Sequence, residues 1–450
     1  MLYKLQKPAL PKDSRKEFFK LLVKQEAEIF EFARKVSDRE YLYWDTFKHK
    51  EPTPKGVSKE MLWMVTKFIR NAQSIKTPVK DKNGELFTWS KLKFFEEFFH
   101  EVDMNTGGGL YAGSSEIKKV NRQKLISRGI MEEAIASSQL EGAATSRQAA
   151  KKMLREGRKP RNKSEQMIVN AYLSMKQVEE TYIDAKLSLD IVKEMHSLIT
   201  NETLDSEGKQ PKLRTTGDPI VVSDESTGAI YHTGPEVPFV EKEMERLILF
   251  ANDELENPEF IHPIIKAIVL HFWIGYLHPF TDGNGRLARL IFYWYLIKNG
   301  YWAFAYLPIS KAIKRSPKKY IMAYVYTEQD DNDLTYFINY NIQKIQLAIR
   351  EFKEYIEQQS LVNIKMRKKF KEIYEFNDRQ IHLLQYMYGD SDASTNLTAH
   401  MNVYQISKMT ANTDLKKLVS IGLLHPKKQG RNVHYFGTDK IKSLFTTTQE

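Results

Sequence analysis

The sequence predicts a mainly α protein whose helical core is interrupted by one short β-hairpin and followed by a basic, hairpin-tipped helical module. Three observations carry this. Apolar residues recur at helical spacing along most of the 450 residues. Paired apolar runs around polar turns, the mark of hairpins, occur in only a few places. The last ninety residues run through three short helical patterns into two strands around a basic turn, a winged-helix order.

The elements follow in chain order. Up to about Gly107, positions such as Phe18, Leu21, Leu22, Ile29, Phe30 and Phe32 mark helices, and Pro52-Thr53-Pro54-Lys55-Gly56 is a turn. Asp81-Lys82-Asn83-Gly84 joins Thr77-Pro78-Val79 to Leu86-Phe87-Thr88-Trp89 as a small hairpin. The triple glycine Gly107 to Gly109 marks a boundary. Beyond it, helices are expected over Glu116 to Leu140, Ser164 to Tyr182, Leu187 to Thr200, Val237 to Asn252, His262 to Tyr276, Gly285 to Lys298 and Pro317 to Gln358. Within this series Pro219-Ile220-Val221-Val222 and Ile230-Tyr231-His232 flank the polar turn Asp224 to Gly228, a hairpin of the kind that often carries function. After the basic stretch Lys365 to Lys371, Asn377 caps a helix to Tyr388, Thr398 to Val403 forms a second, and Ser407 caps a third to Val419. Leu423-Leu424-His425 and Val433-His434-Tyr435-Phe436 then flank a wing holding Lys427, Lys428 and Arg431. The expected domains are 1–107, 108–358 and 359–450.

Composition narrows the chemistry. Zero cysteines exclude disulfides, cysteine-held zinc, iron–sulfur clusters and thiol nucleophiles. With 68 Lys and Arg against 57 Asp and Glu, the net charge of +11 points to a polyanionic partner. The most apolar run, Ile264 to Leu277, is broken by Lys266 and His271 and is too short to span a bilayer. Met1-Leu2-Tyr3-Lys4 opens no signal-peptide core, so the expectation is a cytoplasmic protein with no membrane partner.

One run concentrates the chemistry: His278-Pro279-Phe280-Thr281-Asp282-Gly283-Asn284-Gly285-Arg286-Leu287-Ala288-Arg289. It lies between two strongly apolar helices, which support it rigidly. Gly283 and Gly285 leave backbone N–H groups uncovered where a new helix points its positive end at the loop, and this makes an anion nest. Arg286 and Arg289, three apart, are placed to clamp phosphate oxygens. Asp282 suits Mg²⁺ beside phosphates, and His278 suits a general base. Singly, each feature has an ordinary structural explanation; together they describe a nucleotide-phosphate site. A metal hydrolase built on His262, His271 and His278 is disfavoured, because their spacing fits no zinc-binding helix motif.

The run resembles the Fic-family signature, His-x-Phe-x-Asp/Glu-Gly-Asn-Gly-Arg-x-x-Arg, at every defined position. The resemblance implies an all-α core that transfers AMP from ATP to a Ser, Thr or Tyr hydroxyl of a protein, itself included, with release of pyrophosphate. It implies that His278 is the base, Asp282 holds Mg²⁺, Gly283, Asn284 and Gly285 receive the α- and β-phosphates, and Arg286 and Arg289 hold the β/γ end. The hairpin of about 215–234 resembles the family's flap, which registers the target by strand addition, with Ile230, Tyr231, His232 and Thr233 lining nucleotide and target. Tyr320 sits where similar proteins contact adenosine. Ser137-Ser138-Gln139-Leu140-Glu141-Gly142 resembles the family's inhibitory signature, within a helix of about 116–142, and implies that Glu141 competes with the γ-phosphate for Arg289.

Rival readings stay open. Residues 361–450 hold 14 Lys and Arg against 8 Asp and Glu, so a DNA-binding regulator working through residues 377–438 is the alternative from a different class. Lys408, Lys416 and Lys417 would meet phosphates, although Asp414 lies among them. Within the enzyme class, removal of AMP and phosphoryl transfer by the same site are the alternatives. Neither the target protein nor the oligomeric state, for which a homodimer is one expectation, is encoded legibly.

Overall fold

The computed structural model describes residues 2–9, 13–24, 27–104, 119–204, 213–224, 227–256, 260–389, 393–404, 406–429 and 432–446. The chain divides into two compact units, Met1–Arg350 and Glu351–Glu450. Both are mainly helical. No helix among the described residues is long and apolar enough to cross a membrane.

The first unit opens with α1 (Ser14–Lys24), α2 (Ala27–Lys35), α3 (Trp44–Phe47) and α4 (Lys59–Ala72), then the strands β1 (Ser74–Lys80) and β2 (Leu86–Ser90), then α5 (Lys93–Val102). β1 and β2 pair antiparallel around a turn in which the Asp81 carboxylate accepts from the Asn83 and Glu85 N–H groups. This N-terminal region packs with the rest of the unit. Phe87 meets Phe272 edge-on at 5.1 Å between ring centroids, and the Tyr41 hydroxyl donates to Asp333 at 2.6 Å. The boundary expected at Gly107 to Gly109, and the start of the helix expected from Glu116, lie outside the described residues.

The core follows as α6 (Lys119–Leu140), α7 (Arg147–Glu156), α8 (Lys163–Glu180), α9 (Leu189–Thr200), β3 (Val221–Ser223), β4 (Ile230–Thr233), α10 (Val237–Ala251), α11 (Pro263–Leu277), α12 (Asn284–Lys298), α13 (Ile309–Lys314), α14 (Pro317–Gln329) and α15 (Thr335–Tyr374). α11 and α12 lie against each other, and α6, α8 and α9 pack around α12. Because this pair is surrounded, its sequence is apolar on every face: Ile264 to Ile274 and Leu287 to Ile297 are buried throughout. Side-chain caps set several starts, with Asn162 accepting from Glu165 and Ser188 from Ile191.

The single helix expected over Pro317 to Gln358 is two. α14 stops at Gln329, Asp331 and Asn332 take left-handed φ values of 59° and 55°, and α15 restarts at Thr335. Tertiary contacts cause the break. Lys67 pairs with Asp330 at 3.0 Å and Asp331 at 3.1 Å, while Thr88 and Leu334 exchange backbone bonds with the segment. α15 then continues to Tyr374 and contains the basic stretch Lys365 to Lys371. α7, which the sequence reading passed over, is capped by Ser146 and ends on Gly157 at φ 61°.

In the second unit, α15 is followed by α16 (Asp378–Gly389), β5 (Ser394–Asn396), α17 (Leu397–Tyr404), α18 (Lys408–Ser420), β6 (Leu424–Gln429), β7 (Asn432–Gly437) and α19 (Asp439–Thr446). The sheet order is β5-β7-β6, so β5 adds a third strand to the hairpin. Phe370, Ile381, Leu384, Leu415, Leu418 and Leu423 form its core. Asp414, counted from sequence as an exposed negative charge, is buried. It accepts from Asn377 Nδ2 at 2.7 Å and Arg379 Nε at 2.8 Å. Arg431 lies outside the described residues.

Candidate active site

The site begins where α11 ends. His278 caps that helix in the left-handed region at φ 49°, with its N–H donating to the Ile274 carbonyl, a conformation that non-glycine residues adopt only when their surroundings hold them there. Its Nδ1 lies 3.1 Å from the Gly275 carbonyl. A carbonyl only accepts, so Nδ1 carries the proton and Nε2 keeps its lone pair. Burial pushes the imidazole pKa down to about 4, against a smaller upward pull from the Gly275 bond.

The next residues are fastened from three sides. Phe280, expected as a core anchor, is buried and stacks on His196 with centroids 3.7 Å apart. His196 Nε2 lies 2.8 Å from the Asp282 carbonyl and donates to it. The Asn284 side chain turns back onto Phe280, accepting from its N–H at 3.0 Å and donating to its carbonyl at 2.7 Å. Asn284 therefore staples the loop with its amide, which leaves only its backbone to face a ligand. Gly283, at φ 82°, is the N-cap of α12, and a Cβ there would stand 2.6 Å from Thr200 Cγ2. Loop and helix start thus form one rigid turn with the positive end of α12 at its mouth.

Asp282 extends beside this turn with its side chain 52% exposed, and one oxygen accepts from the Gly283 N–H at 2.5 Å. Among the described residues no group of three or more His, Cys, Asp or Glu is arranged to hold a metal ion. A single outward carboxylate fits Mg²⁺, which keeps waters and takes phosphate oxygens for the rest of its shell.

The two arginines, expected as a pair on one face, are used separately. Arg286 Nη1 donates to the Ile199 carbonyl at 2.9 Å, and its side chain is nearly closed off from solvent, which lowers its pKa. Arg289 reaches α6. Its Nε donates to Ser137 Oγ at 2.9 Å, and its Nη2 donates to the Ser137 carbonyl at 3.1 Å and to Glu141 Oε1 at 2.9 Å. Burial alone would lower the Arg289 pKa; the neighbouring Glu141 carboxylate outweighs it and holds the guanidinium charged. Glu141 stands just past the end of α6, where Gly142 turns the chain at φ 91°. Its carboxylate lies over the first turn of α12, so close that a Cβ on Gly285 would overlap it. Ser137, Glu141, Gly285 and Arg289 are therefore one cluster.

The hairpin β3–β4 covers the site's other side, with Val221 opposite Thr233, Val222 opposite His232, and a shift before Ser223 pairs Ile230. His232 does not line an opening. Its Nδ1 lies 2.8 Å from Glu328 and its Nε2 lies 2.9 Å from the Tyr276 carbonyl, so it clamps the hairpin to α11 and α14. Tyr231 packs its ring on Tyr3, while Thr233 is exposed. Arg214, at the hairpin's base, donates from Nε to the His278 carbonyl at 2.9 Å, and its own N–H donates to Pro279 O at 2.9 Å. Tyr320 lies 2.7 Å from His271 Nε2 through its hydroxyl, so that end of the ring faces the core. His271 is an interior histidine held neutral by burial, with a pKa of about 3.

Sequence reasoning missed His196, Arg214 and Glu328 as parts of the site. Only Arg214 carried a signal, through its place at the entry to the hairpin.

The comparisons agree with this geometry. The Fic/DOC family matches residues 186–296, which include α9, the hairpin, α11, the loop and most of α12. A protein adenylyltransferase Fic from Nematostella vectensis is 33% identical over 132 residues, 28% of this chain and 27% of that one. Protein adenylyltransferase fic-1 from Caenorhabditis elegans is 29% identical over 116 residues, 26% of this chain and 20% of that one. The matches thus span about a quarter of these curated relatives' length. A Fic family protein of Desulfovibrio desulfuricans superposes with a TM-score of 0.50 and 17% identity, covering 78% of this chain and 97% of that one, so the fold is shared. With the signature loop, its helices and its hairpin in one piece, residues 186–296 of this chain are a Fic/DOC-family domain.

Proposed function

We propose that this chain transfers AMP from ATP to a Ser, Thr or Tyr hydroxyl of a protein, itself included, and that Glu141 restrains the reaction. The observation that carries the reading is the direct succession of His278, with Nε2 free to accept a proton, and the anion-binding start of α12. His278 Nε2 takes the proton of the target hydroxyl, whose oxygen forms a bond to the α-phosphorus as the bond to the β-phosphate oxygen breaks and pyrophosphate leaves. N–H groups at Gly283 to Gly285 stabilise charge on the phosphates. Asp282 would hold Mg²⁺, which neutralises charge on the departing pyrophosphate. Arg214, His196 and Asn284 keep the loop in register.

Glu141 opposes this arrangement. Its carboxylate holds Arg289 and lies over the turn that the phosphates need, so a productive triphosphate must displace it. The test incubates wild type, Glu141→Gly and His278→Ala with ATP labelled at the α-phosphate and reads protein-bound label. Labelling of Glu141→Gly above wild type, and none of His278→Ala, is expected. Persistence of label in His278→Ala would overturn the base assignment. Label retained from the γ-phosphate instead would make the site a phosphotransferase, and loss of AMP from a pre-labelled protein would make it an AMP-removing one.

A second reading, for the second unit, has its own observation. With Asp414 buried against Arg379, the outer face of α18 presents Lys408, Met409, Thr413 and Lys416, and β6 presents Lys427 and Lys428. This winged-helix surface fits DNA phosphates. Retardation of genomic fragments that weakens with added salt supports the reading; no retardation at low salt removes it.

A further inference from the structure

The outer edge of the hairpin is taken by the chain's own first residues. Leu2 bridges Ile230 in parallel, and the Tyr3 N–H donates to the Ile230 carbonyl at 2.7 Å. The preceding carbonyl, Ala229, accepts from Asp224 on the opposite side at 2.9 Å. Successive carbonyls of a strand point to opposite edges, so one edge of β4 serves β3 and the other serves this segment. Two further bonds fix its course. Gln329, the last residue of α14, donates from Nε2 to the Tyr3 carbonyl at 2.8 Å and accepts from the Leu5 N–H at 3.0 Å.

The side chains follow the alternation of a strand. Tyr3 packs its ring against Tyr231 with centroids 5.4 Å apart, and Leu5 is buried, whereas Leu2 and Lys4 are exposed. One ladder bond, one bidentate glutamine and two inward side chains amount to a complete but light grip, which a competing strand is able to replace.

We propose that the outer edge of β4, with Gln329, Tyr231 and the Leu5 pocket, is a docking groove for an extended peptide, and that residues 2–5 are its resident ligand. The partner chemistry follows from the occupant: an extended segment running parallel to β4, with an aromatic side chain at one position and an aliphatic one two residues later. The identity of the displacing strand as a target of nucleotide transfer rests on the function proposed above; the groove itself does not.

The experiment uses the full chain and a fluorescent peptide of residues 2–9, without nucleotide. In wild type the tethered copy competes at high effective concentration, so peptide affinity is low. Tyr3→Pro with Leu5→Asp removes the resident's donor and its buried side chain but leaves the groove intact. Its affinity for the peptide is expected to rise at least about tenfold. A peptide carrying the same two changes should not bind. Equal affinity for both chains, or no binding to the variant, would overturn the proposal. Wild type gives an independent reading by hydrogen exchange. The Tyr3 amide should be protected and should lose protection when the unlabelled peptide is added in millimolar excess; a Tyr3 amide exchanging at the rate of an open chain would also overturn it. Peptide binding with no label transfer by Glu141→Gly leaves the groove standing without the enzyme reading; transfer without peptide binding does the reverse.

Discussion

Glu141 Oε1 accepts from Arg289 Nη2 at 2.9 Å across 148 residues of sequence, and Ser137 holds the same guanidinium from one turn earlier on α6. The arginine side chain is 3% exposed and the glutamate 30%. The pair is therefore half-buried: costly to leave with one partner missing, yet open enough for the carboxylate to be exchanged for another anion. A phosphate arriving over Gly285 meets this carboxylate first.

Glu141→Gly should accordingly raise nucleotide transfer by about tenfold or more, the size of a typical coupling free energy of 1–3 kcal/mol. Glu141→Gln, which keeps the bulk and loses the charge, should fall between. Initial rates of label incorporation at fixed ATP check the order; equal rates in all three proteins would separate the pair from regulation.

Acid should act on the base late. Burial puts His278 near pH 4, so its Nε2 stays unprotonated through the neutral range, and kcat/KM should decline only below about pH 5. Stability should move in the same direction. Unfolded histidines bind protons near pH 6.5, whereas folded His278 and His271 do so near 4 and 3. Between these values the unfolded chain binds more protons, so stability falls as pH drops through the window. Urea midpoints at pH 7, 6 and 5 test this, with a shallower decline expected in His278→Ala.

The run His278 to Arg289 was legible because its chemistry is contiguous: base, carboxylate, glycines and arginines are adjacent in sequence and remain adjacent in space. Glu141 was legible only through resemblance, since no spacing rule links it to Arg289. His196, Arg214 and Glu328 were not legible at all, because each acts on the site from another element. The break after Gln329 was hidden for a related reason. Asp330 to Asp333 carries no glycine or proline, and what bends the chain there is Lys67, Tyr41 and Thr88, more than two hundred residues earlier.

Arg214 should prove a positioning residue. It holds the carbonyl of His278 with its side chain and that of Pro279 with its backbone, where α11 has run out of internal donors. Arg214→Ala should lower kcat by about tenfold to a hundredfold with little change in KM for ATP, because the loop drifts while the phosphate turn persists. Lysine should rescue poorly, since it lacks the forked geometry. A purely structural role predicts lost protein with unchanged kcat per folded molecule, which active-site titration distinguishes.

The two glycines of the loop should fail in different ways. Gly283 sits at φ 82° with Thr200 and His196 against its open side, so Gly283→Ala meets both backbone strain and a clash, and should destabilise the fold by about 1–3 kcal/mol. Gly285 has ordinary helical backbone, and the neighbour a Cβ would strike is the end of the Glu141 side chain, which is able to swing away. Alanine also favours the helix more than glycine, so Gly285→Ala should keep its melting temperature within about 2 °C of wild type. Its methyl group nevertheless occupies the space over the first turn of α12 where a phosphate must approach. In the Glu141→Gly background, where inhibition is already absent, Gly285→Ala should therefore raise KM for ATP by about tenfold, a loss near 1.4 kcal/mol of binding. Thermal melts and ATP titrations on the two single and two combined variants separate the effects. A Gly285→Ala protein that melts early, or that binds ATP normally once Glu141 is gone, would show that the turn does not receive the nucleotide.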